Sequence, residues 1–312
     1  MKRALKTSIT IFVLLASLTV AAFAMTACND GYDTASAYAE AEEKWNLAAN
    51  KMVTDTGTVN ATVGSGENAL PVTVSLSGTR VYIGDEFRLD YTITVNGLAD
   101  IASGLIGLFI GNGLTLDLSA SRDAEGTTSL ALSAFGMQLL STSFGEEELH
   151  DTLPVLNLAA PTFYDAEKIS GADGNYSIPG DSSLAWILWQ VAPILAYDAG
   201  YDILPMIESW LTLGDVTGTL SFADGNFATM TTSQDITAYM PYEDAEFLAY
   251  NVEFFPRMLF DFFESGVLDI SGLGALDFSD YITEGIRISG NVSTSATYTV
   301  LADDATFESA LA

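Results

Sequence analysis

Apolar and polar residues alternate strictly over several stretches, and period two predicts strands with one buried and one wet face. Val72, Val74 and Leu76 share one side of residues 72–77, with hydroxyls on the other. Residues 89–95, 114–119 and 216–222 alternate in the same way. The longest run covers residues 286–300, where Ile286, Ile288, Val292, Ala296, Tyr298 and Val300 alternate with Arg287, Ser289, Ser293, Ser295, Thr297 and Thr299. Turn signals divide the runs at Gly64-Ser65-Gly66, Ile83-Gly84-Asp85, Asp123 to Gly126 and Asp224-Gly225-Asn226. Asp224-Gly225 between alternating runs is the clearest hairpin turn.

Other segments carry the helical period. Thr34 or Ser36 can cap a helix over about residues 35–52, with Tyr38, Ala41, Trp45, Ala48 and Met52 on one stripe. Three apolar stretches interrupt the strands. Residues 98–110 contain Gly104 and Gly107 and read as a buried helical turn or a strand. Residues 184–197 are apolar around the whole circumference, contain Trp186 and Trp189, and are broken by Pro193; a second piece, 203–213, holds Trp210. Residues 244–265, capped by Asp244, carry Phe247, Phe254, Phe255, Phe262 and Phe263 on a wide apolar face, and Pro256 predicts a kink. Both halves of the chain read helix, alternating strands, apolar stretch, alternating strands. No residue-level repeat accompanies this echo, so a two-lobed arrangement stays open.

The chain has 312 residues, with 41 acidic against 11 basic and a formal net charge of −30. Lys2, Arg3 and Lys6 precede residue 28 and no acid does, so a chain starting at Cys28 keeps eight basic residues and a net charge of −33. This charge argues against a nucleic-acid partner, which needs positive groups to displace counterions. One Cys and one His argue against Cys/His zinc sites and disulfide frameworks, and no cofactor is implied.

The start of the chain is the most specific signal. Three positive charges within residues 1–6 precede a mostly apolar stretch, residues 9–24, followed by Met25-Thr26-Ala27-Cys28. This resembles the bacterial lipoprotein signal, with Met25 where an aliphatic residue is usual. The resemblance implies removal of residues 1–27 and diacylglycerol on the Cys28 thiol. It also implies a body on the extracytoplasmic side of a bacterial envelope membrane, with the lipid bilayer as partner. A short polar tether, residues 28–34, then keeps the domain of residues 35–312 close to that bilayer.

No nucleophile elbow, metalloprotease or phosphate-loop motif is present. His150 lies among Glu146, Glu147, Glu148 and Asp151, and reads as a solvated acidic loop rather than a metal or catalytic patch. Acidic turns at Asp173 and Asp224 permit calcium chemically, without the spacing of a calcium hand. Carboxylate pairs such as Asp198 and Asp202 are no more distinctive than the other acids, which leaves a carboxylate-based hydrolase as the weakest of three classes. The sharpest chemical feature is aromatic. Trp186, Trp189, Trp210, Phe247, Phe254, Phe255, Phe262 and Phe263 either fill a sheet's core or line an apolar, ligand-holding cavity.

The order of lipidated Cys, amphipathic helix, many antiparallel strands and apolar helices resembles the half-barrel lipoproteins of the LolA/LppX type, by architecture alone. That family shields lipid or acyl chains inside a curved sheet. The expected fold is therefore α+β: a large antiparallel sheet, curved like a half-barrel, with three or four apolar or amphipathic helices on one face. The expected function is a non-enzymatic, membrane-anchored lipoprotein that binds a lipid or other apolar ligand. The alternative is a structural or protein-interaction module of the cell envelope with a filled core.

Overall fold

The computed structural model describes residues 33–65, 68–104, 107, 113–134, 136–145, 166–182, 204–241, 243–244, 267–270, 274–281 and 285–311. These form the helices α1 (Thr34–Leu47), α2 (Leu204–Trp210) and α3 (Phe307–Ala310). The first six strands are β1 (Asn50–Ser65), β2 (Asn68–Ile83), β3 (Glu86–Asn96), β4 (Leu114–Arg122), β5 (Thr128–Ala134) and β6 (Met137–Phe144). The others are β7 (Asn175–Ile178), β8 (Leu211–Leu213), β9 (Val216–Ala223), β10 (Asn226–Met240), β11 (Val267–Ile270), β12 (Gly274–Asp277) and β13 (Ile286–Val300).

Eleven strands form one open sheet in the order β6-β5-β4-β3-β2-β1-β13-β10-β9-β7, with β8 paired to β10. Every pairing is antiparallel. The first and last strands meet in the middle: β1 pairs with β13 from Lys51↔Val300 to Val63↔Ile288. β11 and β12 form a separate ribbon.

The alternating runs become strands. Residues 72–77, 89–95, 114–119 and 216–222 fall inside β2, β3, β4 and β9, and residues 286–300 are β13. The β9–β10 hairpin turns on Asp224 and Gly225, whose φ values of 54° and 74° are the two positive angles that a type I′ turn requires. Ser and Thr line the outer face and bond across strands, as in Thr219–Thr231 at 3.2 Å and Ser221–Thr229 at 2.9 Å.

Helix α1 differs from expectation at both ends. Its cap is Asp33, which accepts from the Ser36 backbone N–H at 3.2 Å and hydroxyl at 2.6 Å. It stops at Leu47, and Met52 belongs to β1. The helical stripe through Ala48 and Met52 is overridden because β1 exchanges ladder bonds with β2 and β13 along most of its length. The true stripe, Tyr38, Ala41 and Trp45, is completely buried. It packs on Val216, Leu220, Phe227, Met230 and Tyr298, with Trp45 edge-on to Tyr298 at 5.3 Å and Tyr38 edge-on to Phe227 at 5.4 Å.

A second apolar cluster occupies the β2–β5 half, built from Leu76, Leu89, Ile93, Leu116 and Leu130. A third joins Leu70 to Leu98 and Ile101. Within residues 98–110 the structure describes a 3₁₀ turn, Ala99–Ile101, with Ile101 buried. The helix expected over 203–213 ends at Trp210; residues 211–213 are β8, drawn onto β10 by the pairing Leu213↔Ile236. The stretches 184–197 and 245–265 lie outside the described residues. Among the described residues no helix is long and apolar enough to cross a membrane.

Candidate functional site

Strand register arranges the inner face in rows. The second row from one end of the sheet reads Tyr298, Val53, Arg80, Leu89, Ala120, Leu130, and the third reads Ala296, Asp55, Gly78, Tyr91, Leu118, Leu132. A charged pair therefore sits inside an apolar face. Arg80 grips Asp55 with two bonds, Nε to Oδ2 at 3.0 Å and Nη2 to Oδ1 at 3.1 Å, and the Tyr91 hydroxyl donates to Oδ2.

Gly78, between Asp55 and Tyr91, makes this possible. A Cβ there would run into the Asp90 carbonyl and the Tyr91 ring, so the ring lies over the glycine on its way to Asp55. Burial is the largest single influence and opposes the Arg80 charge, but Asp55 together with Tyr91, Tyr82 and Tyr298 outweighs it and holds the guanidinium pKa well above its ordinary value. Burial pushes the Tyr91 and Tyr298 hydroxyls well up, and Asp55 adds to both shifts. Both Asp55 oxygens are engaged, and Asp55 is 0% exposed, which suits a structural clasp rather than an acid or base.

The first row, at the sheet's end, is different. It reads Val300, Lys51, Tyr82, Phe87, Arg122, Thr128: two cations with two rings between them. Here the last turn of α1, the β2–β3 turn and the β4–β5 loop enclose a cleft of about 690 Å³. Lys51, Tyr82 and Arg122 line it, together with the acids Asp85, Glu86, Asp123 and Glu125. Lys51 is 8% exposed. Its ammonium donates to the Trp45 carbonyl at 3.0 Å and lies 5.6 Å from the Trp45 ring and 6.0 Å from the Tyr82 ring. Burial lowers its pKa, and among the described residues no carboxylate forms an ion pair with it. Asp123 is partly committed to its own loop, accepting from the Glu125 and Thr127 backbone N–H groups at 3.1 and 2.8 Å.

Of the aromatic residues expected to line a cavity, Trp210 is described. It ends α2, is half-buried, donates from Nε1 to Asp244 Oδ2 at 2.7 Å and takes no part in the cleft. Trp186, Trp189, Phe247, Phe254, Phe255, Phe262 and Phe263 lie outside the described residues, as do Cys28 and His150. Among the described residues no three His, Cys, Asp or Glu side chains converge as a metal site.

Sequence reasoning missed Lys51, Asp55, Arg80 and Arg122. The signal for Arg80 was present, since the parity of Val72, Val74 and Leu76 continues through Gly78, Arg80 and Tyr82. No protein-family model matches the chain, and no curated protein matches it.

Proposed function

We propose that this chain is a bacterial envelope lipoprotein whose sheet holds the apolar part of a lipid or similar ligand. In this reading residues 1–27 are a cleaved signal, Cys28 carries diacylglycerol and residues 28–34 tether the domain of residues 35–312 beside the bilayer. Two acyl chains anchor firmly, at about 0.8 kcal/mol for each buried CH₂. The observation that carries the ligand is the two-sidedness of the sheet. Its β2–β5 half gathers Leu76, Ile93, Leu116 and Leu130, themselves buried, on one side, with Val74, Val95, Leu118 and Leu132 only partly buried beside them, while Ser and Thr cover the other side. α1 occupies the β9–β13 half, so the apolar half is where a ligand is received.

The reading is non-enzymatic. The Asp55 carboxylate itself is taken up by Arg80 and Tyr91, so that group is not offered for acid–base work. Native mass spectrometry of the Cys28→Ala protein, released from its anchor, tests the proposal. A mass excess equal to a bound lipid is expected. A bare polypeptide mass that gains nothing on exposure to lipid instead indicates an interaction module with a filled core.

A further inference from the structure

We propose that the cleft at the sheet's end binds a zwitterion, a molecule carrying a primary ammonium and a phosphate or carboxylate. The anionic group sits between Lys51 and Arg122, and the ammonium sits at the rim beside Glu86 and Glu125. This inference rests on the cleft and holds whether or not the apolar face carries a ligand.

The scarcity of positive charge makes Lys51 informative. Beyond Cys28 there are eight basic residues against 41 acids. Lys44 pairs with Glu40 at 2.8 Å, Arg80 with Asp55 at 3.0 Å and Arg88 with Asp90 at 2.9 Å. Lys51 is more buried than Lys44 or Arg88, yet its neighbours are a helix carbonyl and two ring faces. A buried ammonium with no carboxylate in ion-pair contact is destabilising, and an anion arriving beside it supplies one. A lysine that only satisfied the last carbonyls of α1 would do so from the surface. Arg122, three strands away in the same row, brings a planar fork suited to phosphate or carboxylate.

The rim has the opposite sign. Asp85, Asp123 and Glu125 are exposed, Glu86 and Arg122 are half-buried and Lys51 is buried, so a simple anion meets carboxylates on entry and a simple cation meets Lys51 within. A molecule with both charges satisfies both, and Tyr82 gives its carbon skeleton a ring to lie against. The volume, about 690 Å³, lies within the range of small-molecule sites.

The test is isothermal titration of the full Cys28→Ala chain with glycerophosphoethanolamine, glycerol phosphate and ethanolamine. Glycerophosphoethanolamine should bind, and each single-charge fragment should bind at least about tenfold more weakly, the cost of one lost charged contact. Lys51→Met and Arg122→Gln should each weaken the zwitterion by about tenfold or more. The Glu86→Gln/Glu125→Gln pair should weaken the zwitterion while strengthening glycerol phosphate, a crossed response that a merely structural role does not give. Dihexanoyl phosphatidylethanolamine identifies the source. Tighter binding than the bare headgroup assigns a lipid, equal binding assigns a free solute, and either supports the site. Absence of glycerophosphoethanolamine binding at millimolar concentration overturns the proposal. So does equal binding of glycerol phosphate to the wild type. If Lys51→Met does not fold, Arg122→Gln and the wild-type ligand series decide.

Discussion

Asp55, Arg80 and Tyr91 form a polar clasp within an apolar face, and its energetics are those of a buried pair. Removing one partner strands the other, so Asp55→Ala should cost about 3–5 kcal/mol of unfolding free energy in urea titrations. The double change Asp55→Leu, Arg80→Met should recover most of that loss, because apolar groups of similar volume have no charge to desolvate. A double variant as unstable as the single one would show that the pair contributes more than its burial costs.

The surrounding tyrosines set a pH limit. Burial raises the Tyr82, Tyr91 and Tyr298 pKa values above the ordinary 10. The native state therefore keeps protons that the unfolded chain releases, so this contribution to stability is complete below about pH 10 and is lost as pH rises towards the raised values. Absorbance at 295 nm and circular dichroism, followed together with pH, should show these rings ionising only as the fold is lost. Ionisation near pH 10 with the fold intact would contradict the burial.

At the scale of elements, the strands that could be read were those whose inward positions are apolar: β3, β4, β9, β13 and part of β2. β1 could not be read, because its inward positions include Lys51, Asp55 and Gly57, which break the alternation even though the strand is central. The same residues hide the site: a cation and an acid on a buried face look like surface residues until the neighbouring strands are known. The start of α1 was legible to within a residue, although its cap is Asp33 and not Thr34 or Ser36; its end was not, since Ala48 and Met52 continue the helical spacing by coincidence and only pairing with β2 and β13 ends it. The α1 contact is testable. Trp45 is fully buried against Tyr298 and the inner face, so Trp45→Ala should cost about 3–5 kcal/mol, measured by chemical denaturation. A loss below 1 kcal/mol would mean that α1 adds little to the core.

Across the whole molecule, the net charge of −30 acts against compactness, because 41 acids face 11 bases and at least three of the described bases are already tied to acids. Screening shortens the reach of like-charge repulsion to about 10 Å at 0.1 M salt, so sodium chloride should raise Tm, read by differential scanning calorimetry. A Tm that falls with added salt would indicate that ion pairs outweigh repulsion.

The same acidity repels polyanions and favours cationic or neutral partners. The central claim is that Cys28 tethers this sheet to the outer side of a bilayer. Metabolic labelling with an alkyne fatty acid in a bacterial host tests it most directly. The wild-type chain should take the label and the Cys28→Ala variant should not. Equal labelling of the two, or a full-length unlabelled chain in the cytosol, would contradict it.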